Sequence, residues 1–138
     1  MATSLSLGAH VEQTDPITEA QARNAPLVQF FLGDPQSYKG PVFNYAGGAE
    51  GLKADAEKAG VDLYVHAPYP INVATTNNRQ RIPGRKLIQQ HMDAAASIGA
   101  KGLIVHGGHV QDDDDPAKGF DNWRKAIEAT DIKVPLLI

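Results

Sequence analysis

The chain has no cysteine, so neither a disulfide framework nor a thiolate metal site is open to it. Any metal it binds must be held by His, Asp or Glu. No run approaches eighteen apolar residues, which excludes a membrane-spanning helix. The opening MATSLSLGAH lacks both a basic segment and an apolar one, so a secretory leader is not expected and a cytoplasmic location is. A formal net charge of -3 removes any bulk attraction to nucleic acid. Polyanion binding would need a local basic patch. No GxGxxG follows the first apolar run, so a dinucleotide fold lacks its usual signature.

What is present is the composition of a globular domain: 138 residues, 42% hydrophobic and 21% charged. That is enough chain for one core and too little for two ordinary domains, so residues 1–138 are read as one unit. Short apolar runs occupy 5–9, 27–32, 63–67, 103–105 and 134–138. They are continuous rather than alternating, the pattern of strands buried on both faces. Helical segments lie between them. Asp15-Pro16 and Asp115-Pro116 each read as an N-cap followed by proline in the first turn, opening helices at 16–24 and 116–129. A helix at 48–59 is closed by Gly60. A fourth is expected over 85–99, with Ile88, Met92, Ala95 and Gly99 on one face. Strand and helix therefore alternate four times before a fifth strand, the order of a parallel α/β fold.

Three histidines carry the chemistry. His10, His66 and His106 each stand at or just past the C-terminal end of a different strand. Both (β/α)8 barrels and open parallel sheets place their sites there. The endings YVHAP and IVHGG are near copies, so His66 and His106 are expected to converge as neutral imidazole ligands suited to zinc or manganese. His109 lies three residues after His106, past Gly107 and Gly108, and is a candidate further ligand. The bland alternative is a set of hydrogen-bonded core-edge histidines.

Residues 68–84 read as a long loop carrying Tyr69, Pro70, Asn72, Arg79 and Arg81, with no acid between 68 and 92. Such a basic stretch beside candidate ligands points to a phosphate-bearing substrate. Tyr69, between two prolines, is placed to stack or wedge. The run Asp112–Asp115 is read as a solvated helix start rather than as metal ligands.

Together, LGAHV (7–11), VQFFLGDPQSYK (28–39), YVHAPYPIN (64–72), RQRIPGRK (79–86) and VHGGH (105–109) resemble deoxyribonuclease IV, the endonuclease IV family of apurinic/apyrimidinic endonucleases, in its actinobacterial form. The likeness runs in order over essentially the whole chain, and HAPYPIN is its most specific motif. It implies a parallel (β/α)8 TIM barrel, with this chain supplying the first four βα units and the fifth strand. It implies three metal ions, usually zinc, per complete enzyme, with His66 and His106 among the ligands and His10 nearby. It implies hydrolysis of the phosphodiester 5′ to an abasic site in double-stranded DNA, leaving a 3′-hydroxyl and a 5′-deoxyribose phosphate. Tyr69 matches the aromatic that enters the duplex, and Gln36 lies in the loop that probes the minor groove.

Two positions depart from the family. Pro70 stands where a gap-filling leucine is common, and EQTDP (12–16) replaces a glycine pair after His10. The family's fifth strand also runs into a Glu-Asn-Thr-Ala segment whose glutamate bridges metals, whereas this sequence stops at PLLI. The expectation is the first half of an enzyme that is a monomer when complete, inactive without its second half. A sugar isomerase or epimerase on a similar barrel, and an inactive remnant, are the competing readings.

Overall fold

The computed structural model describes residues 4–138; residues 1–3, part of the opening read as lacking a leader, lie outside it. Five strands and four helices alternate: β1 (Gly8–His10), α1 (Pro16–Ala22), β2 (Leu27–Phe31), α2 (Gly48–Ala59), β3 (Asp62–His66), α3 (Asn78–Ser97), β4 (Gly102–Ile104), α4 (Pro116–Glu128) and β5 (Leu136–Leu137). The sheet is parallel throughout and runs β1-β2-β3-β4-β5. This is the expected arc of a (β/α)8 barrel, with β1 and β5 as its two edges. None of the described helices is long and apolar enough to cross a membrane.

The caps follow from the sequence. Asp15 accepts the Thr18 N–H at 3.1 Å, and Asp115 accepts the Ala117 N–H at 2.9 Å, each ahead of a proline that has no N–H to leave orphaned. Gly60 closes α2 in the left-handed region at φ +66°. Helix α3 departs from expectation. It begins at Asn78 rather than near 85, because the Asn77 side chain caps the Arg79 N–H at 3.0 Å. Pro83 therefore sits inside a helix, where its ring removes one backbone bond. At the other end, Gly99 lies past the helix in a left-handed conformation and is exposed, so it is not part of the buried stripe.

The register sets the two faces of the sheet. Val28, Phe30, Leu63, Val65, Leu103 and Val105 are at most 2% exposed and form the helix-side core. Their alternate neighbours Gln29, Phe31, Tyr64 and Ile104 are only half-buried. Burial on both faces, expected from the continuous apolar runs, is complete on the helix side; on the other, His66 and Gly102 are buried among half-buried neighbours. The other face is the concave wall that would line a barrel.

His91 lies within that core, 1% exposed, its Nδ1–H donating to the Leu87 carbonyl at 3.0 Å. Burial lowers its pKa from the usual 6.5, with the Leu87 bond opposing. The unfolded chain therefore takes up the proton first as pH falls, so this contribution is complete above about 6.5 and is lost toward the lower folded value. The urea midpoint should drop between about pH 7.5 and pH 5.5, and His91→Gln should flatten that slope. An unchanged slope in the variant would move the acid sensitivity to His10 and His66, whose pKa values burial also lowers.

Candidate metal centre and nucleic-acid interface

Register brings the histidines to one face. Phe31 pairs with His66, His66 with Ile104, and His10 with Gln29. Because side chains alternate with period two, His106 returns to the concave side two residues beyond Ile104. His66 and His106 converge there, with ring centroids 4.8 Å apart and Nε2 atoms 3.1 Å apart.

The tautomer of His66 follows from its neighbour. The Ala67 carbonyl can only accept, so Nδ1 of His66, 2.7 Å away, carries the proton. The Nε2 lone pair is then directed at His106. Burial holds the His66 pKa below the usual value, and the nearby His106 and His10 add to that, while the Ala67 bond opposes it. A neutral imidazole anchored through Nδ1 to a carbonyl is the arrangement of a metal-ligating histidine. Two donors on one zinc at ~2.0–2.1 Å stand roughly 3.3 Å apart, close to the spacing found. The pair therefore fits two ligands of one ion. Among the described residues no group of three His, Asp or Glu completes it.

The other histidines are used differently. His10 is 6.3 Å from His66 between centroids, and its Nδ1 accepts the Gln29 side-chain amide at 2.8 Å. His109, the candidate further ligand, is exposed and does not join the pair; its backbone is held instead. Asn72 does the holding. Expected to serve DNA, it is 9% exposed, and its amide donates to His109 O at 3.1 Å while its oxygen accepts His109 N–H and Thr75 N–H, both at 3.2 Å. Gly108, at φ +70°, permits this approach: a Cβ there would collide with the Asn72 side chain. Asn72 is thus a clasp between the loops after β3 and β4.

An aromatic wall rises beside the pair. Tyr69 stands 5.5 Å from His66, 5.4 Å from His106 and 5.3 Å from Phe31, centroid to centroid, yet is 45% exposed. Its backbone N–H donates to Pro35 O at 2.9 Å, and the Tyr38 hydroxyl donates to Pro70 O at 3.0 Å. The segment carrying exposed Gln36 is therefore tied to the Tyr69–Pro70 turn. Arg79 and Arg81 lie on the first turns of α3, not in a loop. Arg79 is exposed with no ion pair among the described residues. Arg81 donates to Asn78 Oδ1 at 2.7 Å and lines a cleft with Lys118, Asp121 and Lys125 of α4. In the acidic run, Asp114 accepts from the Thr76 hydroxyl and from Lys118, and its neighbours are exposed, as read from sequence.

Sequence reading overlooked Gln29, Phe31 and Tyr38. The parity of β2, with every second residue on the histidine face, was the signal for the first two.

A family model described as a xylose isomerase-like TIM barrel matches residues 17–135. The probable endonuclease 4 of Mycobacterium bovis (strain BCG / Pasteur 1173P2) is 51% identical over 132 residues, which is 96% of this chain and 50% of that protein. Its counterpart in Mycobacterium leprae (strain Br4923) is 49% identical over the same coverage. The crystal structure of endonuclease IV from Thermus thermophilus superimposes with a TM-score of 0.79 at 20% identity, covering 97% of this chain and 51% of that one. A D-psicose 3-epimerase superimposes at 0.67 and 12% identity, covering 96% and 51%. The two structures share the fold; the relatives at half identity carry the endonuclease 4 name. The chain spans about half the length of the curated relatives it matches. By fold, register and sequence, it belongs to the xylose isomerase-like TIM barrel family.

Proposed function

We propose that this chain supplies the N-terminal half of a metal-dependent endonuclease that hydrolyses the phosphodiester 5′ to abasic sites in duplex DNA. The observation that carries the reading is the His66–His106 pair, Nε2 atoms 3.1 Å apart, beneath an exposed Tyr69. The endonuclease 4 name of relatives at 51% identity supports it. A sugar isomerase or epimerase has fold likeness and the xylose isomerase-like description of the family in its favour, but not the name carried by the relatives at half identity.

His66 and His106 would hold one zinc, or manganese in its place, and further donors come from outside the described residues. When bound, the metal supplies Lewis-acid polarisation of the phosphodiester and activation of water. This chain's other residues bind and orient. Tyr69, on a backbone stiffened by Pro68 and Pro70, fills the space where a base is missing, a stacking contact worth roughly 1–3 kcal/mol. A missing base also lowers the cost of moving the sugar out of the helix. Pro70 stands beside Tyr69 at the gap in the duplex, Gln36 reaches the groove beside the lesion, and Arg79 and Arg81 contact phosphate. Asn72 is reassigned to holding the loops. The product is a 3′-hydroxyl and a 5′-deoxyribose phosphate.

With two donors, residues 1–138 alone are inactive and bind zinc weakly. Leu5, Leu7 and Ile138, 82, 69 and 67% exposed beside the edge strands β1 and β5, favour self-association of that polypeptide.

The test is a chimera joining residues 1–138 to the second half of the Mycobacterium bovis relative. It should incise abasic-site duplex in a zinc-dependent manner. Tyr69→Ala should lower incision about tenfold or more at unchanged zinc content. A folded chimera that epimerises ketosugars and leaves abasic duplex intact would refute the reading, and zinc lost with Tyr69 would reassign the loop.

A further inference from the structure

Helix α4 meets the site through two consecutive side chains. Asn122, 9% exposed, donates its amide to Ala74 O at 3.0 Å and to Thr75 O at 3.1 Å. The indole N–H of Trp123 donates to Gly107 O at 2.7 Å. Adjacent residues on a helix point about 100° apart, so one pair of neighbours reaches two different loops. Asn122 holds the loop that begins with His66. Trp123 holds the loop that begins with His106. Asn72 closes the ring between them.

The strand ladder fixes His66, which pairs with Phe31 and Ile104, but it does not fix His106. The last ladder bonds, Ala67 N–H to Ile104 O at 2.8 Å and Val105 N–H to Leu137 O at 2.9 Å, stop at the strand ends. Beyond them His106 is followed by Gly107 and Gly108, the residue type with the least conformational preference of its own. The Gly107 carbonyl, one peptide beyond His106, is the point that Trp123 holds.

We propose that Asn122 and Trp123 are positioning residues for His106, Trp123 through the Gly107 carbonyl and Asn122 through the Thr75–Asn72–His109 bonds: they set its separation and direction from the ladder-held His66, and through them metal affinity and coordination geometry. Neither residue touches the metal or the substrate. The inference rests on the reading of the pair as metal ligands.

Trp123 is the chain's single tryptophan, so its N–H can be removed selectively. Trp123→Phe, Asn122→Ala and a chain carrying the isosteric benzothienyl analogue in place of tryptophan are titrated with cobalt(II). The visible spectrum is recorded, and amide exchange of His109 is followed in the metal-free chain. Cobalt affinity should fall about tenfold, the scale for partners one shell out from a metal. The spectrum should change in band position or intensity, and His109 exchange should quicken. A purely structural role would lower the unfolding midpoint and leave the cobalt spectrum of the folded fraction as it was, which overturns the inference. The analogue keeps the ring and the packing, so an unfolded Trp123→Phe leaves the question answerable. A wild-type chain that takes up no cobalt even at millimolar metal, where a weak two-histidine site would fill, overturns the ligand reading as well. Cobalt uptake equal in wild type and variants overturns this inference alone.

Discussion

His66→Ala is expected to lower the zinc affinity of the chain more than a hundredfold. Loss of a partner that merely orients a ligand costs 10–100-fold, and under the proposed function His66 is itself a ligand, its lone pair already fixed by the 2.7 Å bond from Nδ1 to Ala67 O. His106 is left as a lone exposed donor, and no third His, Asp or Glu of the described residues gathers around it to compensate. Competition against a chromophoric chelator measures the change directly. A loss under tenfold would mean that zinc binds elsewhere. The fold should survive, because the side chain lies on the concave wall and not in the helix-side core.

The second large effect concerns that core. Phe30 is completely buried on β2, between β1 and β3, in one cluster with Val28, Leu52, Val65 and Met92. Phe30→Ala should cost about 3–5 kcal/mol, the transfer free energy of the ring plus the cavity it leaves. Domains of this size are stable by only about 5–15 kcal/mol. The variant should therefore unfold at a much lower urea concentration or fail to fold at all. A midpoint within the error of the wild type would show that the helices collapse into the space, and that this side of the sheet is far softer than its burial implies.

Much of this was legible in the chain. Asp15-Pro16 and Asp115-Pro116 announce two helix starts because a capping carboxylate and a donor-less ring solve the same end problem. The five strands were legible because their apolar runs are short and bounded. The matched endings around His66 and His106 pointed to a shared site because parallel strands deliver their C-terminal ends to one edge. Other features were hidden for physical reasons. Pro83 disguised the first turns of α3, since a local rule against proline was outweighed by the Asn77 cap and by packing of the buried Gly84 beside residues 71–73. Asn72 looked like a recognition residue because a sequence cannot reveal whether an amide is spent internally. Its bonds reach 37 residues along the chain. The reach of Asn122 and Trp123, 47 and 16 residues back, is similarly invisible to any local pattern.

The order of the sheet has a consequence for how the chain acquires its shape. Each strand pairs only with the one before it and the one after, across a single intervening helix. Each pairing is non-local, with partners from 19 residues apart (Gly8 and Leu27) to 38 (Tyr64 and Gly102), but each closure spans one βαβ unit. Long-range pairing is what slows β-rich folding, because loop entropy is lost before contacts form. Here that loss is divided into successive small steps. A chain emerging from the ribosome can therefore grow the sheet one strand at a time from β1 to β5, each new strand finding its template already laid down.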